Sequence, residues 1–183
     1  MWNSRRILRE IADADLRQRI LRAFWRYADA TTKAVATAQL AKALHFRDET
    51  IRKMSAEKKS ELLASRIGAA EFEQTLETAL MQFHTHEANE MMAAFLDRWG
   101  IPHVNGSIET EDYTPPSVEA VRSAVNELQS RFDRRNVALY LASAGLLMGE
   151  EWQKATWPVV EEILHHREDG GDGESPSSPS SLW

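Results

Sequence analysis

The chain has 183 residues, with 22 Lys and Arg against 28 Asp and Glu, 43% hydrophobic residues and no cysteine. That length suits one domain or two small ones, with enough buried surface to hold a core without covalent staples. The missing cysteine removes disulfides, thiolate nucleophiles, Cys-ligated zinc and iron–sulfur clusters, and fits a reducing cytoplasm. No apolar run reaches the roughly 18 residues of a membrane span, and the opening MWNSRRILREIADADL lacks the apolar stretch of a secretory signal. A cytoplasmic protein with no membrane partner is therefore expected.

Charge is uneven along the chain. Residues 1–66 hold 15 Lys and Arg and 8 Asp and Glu, net +7, whereas residues 67–183 hold 7 and 20, net −13. A basic end of this kind either meets an anionic partner such as nucleic acid or attracts the acidic half of its own chain.

The pattern of apolar residues and breakers predicts an all-α protein, a multi-helix bundle of eight to nine helices. The first proline is Pro102, and the only glycines before it are Gly68 and Gly100. Such a stretch favours helix throughout. In chain order, helices are expected at 4–12, 14–29, 31–44, 48–66, 69–83 and 86–99. Leu16, Ile20, Phe24 and Ala28 form the stripe of the second, Phe72, Leu76, Leu80 and Phe83 that of the fifth, and Met91, Met92, Phe95, Leu96 and Trp99 that of the sixth. Asp13, Asp48 and Ser117 stand where N-caps belong, and Gly68 and Gly100 where helices end. Residues 1–99 thus read as a basic helical subdomain.

The segment 100–116, GIPHVNGSIETEDYTPP, is a Pro/Gly loop long enough to suggest a functional role, with a short extended piece at His103–Val104 or Ser107–Glu109. A C-terminal helical subdomain, 117–166, follows, with helices at 117–131, 134–147 and 150–166. Its first carries the stripe Val118, Val121, Val125, Leu128 and Phe132. Pro158 falls inside the last, which predicts a kink or a restart capped by Thr156. The tail 167–183, rich in acid, Ser, Pro and Gly, is expected to be disordered.

Three constellations bear on function. AQLAKALHFRDETIRKM, 38–54, has the outline of a helix-turn-helix: Leu40, Ala41 and Leu44 inward on one helix, a break at His45–Arg47, then a second helix with Ile51 and Met54 inward. Arg47, Thr50, Arg52 and Lys53 would then face DNA, the arginines suited to guanine edges and Lys53 to phosphate. His45 stands where such a turn usually carries glycine and must accept a positive φ. Asp48 and Glu49 place two carboxylates toward the polyanion.

The second constellation, QFHTHEANE at 82–90, offers His84, His86 and Glu90 as metal ligands, His86 and Glu90 lying one helical turn apart. It matches the HExxH pattern only in part, because Glu90 replaces the second histidine. The third is His103 in the loop, a general-base candidate with no nucleophile motif beside it. Trp25, Trp99, Trp152 and Trp157 sit on apolar stripes and read as core. The function expected is non-catalytic: a helical interaction module that binds a protein partner or another copy of itself, with no cofactor. A DNA-binding regulator using 38–54 comes second and a metal-dependent helical enzyme third.

Overall fold

The computed structural model describes residues 1–165, and these fold into an all-α bundle with a single isolated β-bridge. The helices are α1 (Ser4–Glu10), α2 (Ala14–Tyr27), α3 (Ala30–Leu44), α4 (Asp48–Arg52), α5 (Ala56–Ala64), α6 (Glu73–Glu87), α7 (Asn89–Trp99), α8 (Val118–Leu128), α9 (Arg134–Met148) and α10 (Glu150–His165), with a 3-10 turn at Ala70–Phe72. Their starts are set by local chemistry. Asn3, Asp13, Asp29, Ser55, Ser117 and Asp133 each accept a hydrogen bond from a backbone N–H of the first turn they precede. Each such cap satisfies a donor that the helix itself leaves unpaired, worth about 1 kcal/mol.

Several boundaries differ from those the sequence suggests. The stretch 48–66 is two helices, because Ser55 caps a new one by accepting from the Lys58 amide at 3.2 Å. Asp48 is the first helical residue and not the cap, a place taken by Arg47 with no side-chain bond. Gly100 closes α7 in the left-handed region, but Gly68 is not among the glycines with positive φ. The break between α6 and α7 lies at Ala88, whose N–H reaches back to the Phe83 carbonyl at 3.2 Å. Pro158 sits within an uninterrupted α10, on its exposed side. Thr156 starts no helix; its hydroxyl donates to the Trp152 carbonyl at 2.8 Å. The tail 167–183 lies outside the described residues.

The core is one continuous apolar cluster drawn from both sides of the 100–116 loop. Its axis is α9, buried without interruption from Val137 to Gly145, which amphipathic patterning would never give a surface helix. α10 lies along α9, while α1 and α6 pack on other faces of it and α2 covers α6. Gly145 permits the α9–α10 approach: a Cβ there would stand 2.3 Å from Trp157 Nε1, which instead donates to the Ala142 carbonyl at 3.3 Å. On α8, which packs on α7 and α10, Val121, Ala124 and Leu128 are buried and Val118 and Val125 half-buried; Phe132, past its end, is half-buried as well. The N-terminus is tied to α6 by Glu73, which accepts from the Ser4 amide at 2.8 Å and from Arg5 Nε at 2.5 Å.

Candidate functional site

The 100–116 loop is held by its own short motif. Asn105 and Gly106 both take positive φ, 51° and 86°, and Val104 and Ser107 exchange two backbone hydrogen bonds of 2.9 Å. This is the two-residue turn that Asn-Gly favours, and it bridges Val104 to Ser107, one residue from each of the two places offered for a single extended piece. His103 supports it. Its Nδ1 accepts from the Gly106 amide at 3.2 Å and its Nε2 lies 3.1 Å from an Asp97 carboxylate oxygen, so the ring carries its proton on Nε2. The general-base candidate thus has both nitrogens engaged in holding the loop.

The turn lies close against α7. A Cβ on Gly106 would come within 2.8 Å of the Asn89 carbonyl and 2.9 Å of Met92 Cβ, so glycine is required both for its φ and for this approach. Beneath the loop is a cleft of about 200 Å³, lined by His84 of α6, Met92 and Leu96 of α7, Gly106, Ser107 and Ile108 of the loop, and Tyr140, Ser143, Leu147 and Trp152 of α9 and α10. No charged side chain lines it. Aromatic rings build its wall: Tyr140 meets His84 and Phe95 with centroids 5.7 and 5.3 Å apart, and Trp152 meets Trp99 at 5.6 Å.

Three lining side chains carry polar atoms that are buried and have no hydrogen-bond partner among the described residues: both ring nitrogens of His84, Ser143 Oγ and Trp152 Nε1. Leaving a buried donor or acceptor unpaired costs about 1–3 kcal/mol; Trp2 Nε1 and Trp25 Nε1 share this state away from the cleft, and all six atoms are closed to water. Burial alone pushes the His84 imidazole down to about 4, so it is neutral at physiological pH. It then presents one donor and one acceptor. Burial pushes the Tyr140 hydroxyl up, and it too stays uncharged.

The metal candidates do not come together. His84 is buried, His86 stacks on Tyr27 with centroids 4.1 Å apart, and Glu90 pairs with Arg131 at 3.1 Å. Among the described residues no three His, Asp or Glu side chains are grouped to hold a metal ion. Arg47, Thr50, Arg52 and Lys53 are all exposed, and His45 does take the left-handed conformation, at φ 55°. Their helix, α4, has five residues and is only about 7.5 Å long. Lys53 pairs with Glu49 at 3.0 Å, and Arg52 borders a separate cleft of about 420 Å³ with Trp25, Lys33, Asp48 and Lys59.

Sequence reasoning offered His84 as a metal ligand and did not single out Ser143, which lines the same cleft. The available signal was a polar residue within the uninterrupted apolar run of VALYLASAGLL. A larger and more open groove of about 560 Å³ is bordered by Asp13, Asp15, Arg19, Asp133, Arg134 and Arg135; there Asp13 pairs with Arg135, and Arg134 donates to the Ile163 carbonyl at 2.9 Å. Among the described residues no helix is long and apolar enough to cross a membrane. Comparison with protein-family models, with curated proteins and with solved structures finds no match to this chain.

Proposed function

We propose that the protein is a non-catalytic helical binding module whose ligand is a small, mostly apolar molecule seated beneath the 100–116 loop. The observation that carries this reading is the cleft itself, about 200 Å³ walled by Met92, Leu96, Ile108, Tyr140, Leu147 and Trp152 with no charged side chain. Small-molecule sites have this character: they are concave and mostly apolar. The volume suits a compact body, since a cavity near 150 Å³ accepts benzene. A protein partner or a second copy would meet the exposed Leu147 and Met148 at the end of α9, but an interior of about 200 Å³ takes one side chain at most. The cytoplasmic location expected from the cysteine-free sequence belongs to the same proposal.

The test uses the full chain and toluene as probe. Saturable amide shifts confined to Met92, Ser107, Tyr140 and their neighbours, lost when Ala144→Leu fills the cleft that Ala144 also lines, support the reading; an unchanged spectrum at toluene saturation refutes it.

A second reading keeps the nucleic-acid expectation. Lys33, Arg52 and Lys59 border one cleft against a single carboxylate, Asp48, and burial followed by the Lys33 charge lowers the Lys59 ammonium. Such a cluster suits phosphate groups. If it holds DNA, binding weakens steeply with salt, and Lys33→Ala with Arg52→Ala flattens that slope by up to about two units.

A further inference from the structure

The basic half of the chain gathers unpaired cations on one surface, and this step rests on the nucleic-acid reading above. Two clefts meet there. The one of about 420 Å³ is lined by Lys33, Arg52 and Lys59 with Asp48, and a second of about 500 Å³ by Arg19, Arg22 and Arg26 with Glu57 and Glu87. Ala56, at the start of α5, lines both, and Lys33 Nζ donates to the Arg26 carbonyl at 3.3 Å across the join. We infer that the joined clefts hold the phosphate backbone of duplex nucleic acid and bind it without reading its bases.

The charge balance of the fold leaves these cations over. Part of the basic half does meet the acidic half, since Arg5 pairs with Glu73, Arg6 with Glu161 and Arg19 with Glu87. Arg22, Arg26, Lys33, Arg52 and Lys59 form no ion pair among the described residues. Two of them are placed in advance. Lys33 is held by the Arg26 carbonyl, and Lys59 Nζ donates to the Arg52 carbonyl at 3.1 Å while lying 5.3 Å from the centre of the Trp25 ring. An ammonium has three donors, so each lysine keeps two for phosphate oxygens. Arg22 and Arg26 follow one turn apart, about 6 Å along α2.

The same surface lacks the means to read bases. Single strands are gripped by aromatic rings that stack on them, but Trp25 is buried beneath Lys59, and Tyr27 is covered by His86 and Arg26. Bases in a duplex are read by a helix whose N-terminal residues enter the major groove. α4 begins with Asp48 and Glu49 and ends after five residues. A duplex backbone asks for cations alone, at one charge per about 1.7 Å of axis on a fixed frame, and cations spread over two clefts engage it together.

The test is fluorescence anisotropy at pH 7 with the full chain and labelled oligonucleotides of about 20 nucleotides per strand, at about 50 and 200 mM KCl. Two DNA duplexes of unrelated sequence are expected to bind within about threefold of each other and more tightly than oligo-dT. Five phosphate contacts at about 0.9 each in the salt slope make affinity fall about 500-fold over that range. Arg22→Gln with Arg26→Gln removes two contacts and is expected to cut the fall to about 40-fold. Arg9→Gln with Arg66→Gln, an equal loss of charge outside both clefts, is expected to leave it unchanged. An unmoved fall in the first pair, or the same change from the control pair, overturns the joined surface, while a flattened slope in Lys33→Ala with Arg52→Ala still upholds the reading above. A preference above about tenfold for one duplex, or tighter binding of oligo-dT, overturns the backbone mode. Displacement of the duplex by polyglutamate at equal charge overturns the choice of nucleic acid. Failure of every oligonucleotide to bind at about 50 mM salt, where non-specific binding is favoured, overturns both the inference and the reading.

Discussion

Acid should find His84 before it finds most of the fold. Its imidazole ordinarily titrates at 6.5 and is pushed down to about 4 by burial. The folded pKa lies below the unfolded one, so the unfolded chain binds the proton more readily between those values, and stability is full above pH 6.5 and falls as pH drops toward 4. At 1.36 kcal/mol per pH unit, the loss attributable to this one side chain is about 2 kcal/mol by pH 5 and about 3 kcal/mol by pH 4. The groups around it offer no relief. Its ring neighbours are Phe83 and Tyr140, and no charged residue lines the cleft.

Exposed carboxylates add their own acid sensitivity. Asp13, through the Leu16 amide, and Asp29, through the Thr32 hydroxyl, both sit below the ordinary aspartate value, so the stability they contribute is lost only at lower pH. His84→Leu separates the effects, because carboxylate contributions are common to both proteins. Urea unfolding followed by far-UV circular dichroism at pH 7, 6, 5 and 4 is the assay. The variant should equal or exceed the parent at pH 7, since it removes two unpaired polar atoms, and the gap should widen in its favour by about 2 kcal/mol at pH 5. Parallel pH profiles for the two proteins would mean that His84 is hydrated, and the cleft argument would fall with it.

The remaining predictions concern packing and the loop. Gly145→Ala drives a methyl into Trp157 and breaks the Trp157–Ala142 hydrogen bond, so it should destabilise by about 1–3 kcal/mol despite the better helix propensity of alanine, and a raised melting temperature would contradict the close α9–α10 crossing. Gly106→Ala should destabilise by about 1 kcal/mol or more and accelerate amide exchange at Ser107 and Ile108, because the turn can no longer sit on α7; unchanged exchange would show that the loop has room to spare. Leu128→Ala should cost about 2–4 kcal/mol and the half-buried Val125→Ala less, measured by denaturant unfolding, and equal costs would misplace the inward face of α8.

What the sequence determined by itself was helix. Period and breaker content gave Leu16, Ile20 and Phe24 one buried face, Asp13 and Ser117 their caps, Gly100 its left-handed close and 100–116 its loop, because each depends on residues within a few positions of one another. Two local signals were missed: the cap at Ser55 that splits 48–66, and the turn at Asn105-Gly106. The cleft was decided elsewhere. His84, Ile108, Ser143 and Trp152 come from four separate parts of the chain, and a polar residue on an apolar stripe looks the same in sequence whether a distant helix pairs it or leaves it bare. Periodicity reports only which face turns inward. Whether the polar atoms on that face meet a partner depends on which helices pack across from it, and that was settled only when α6, α9, α10 and the loop closed around one space.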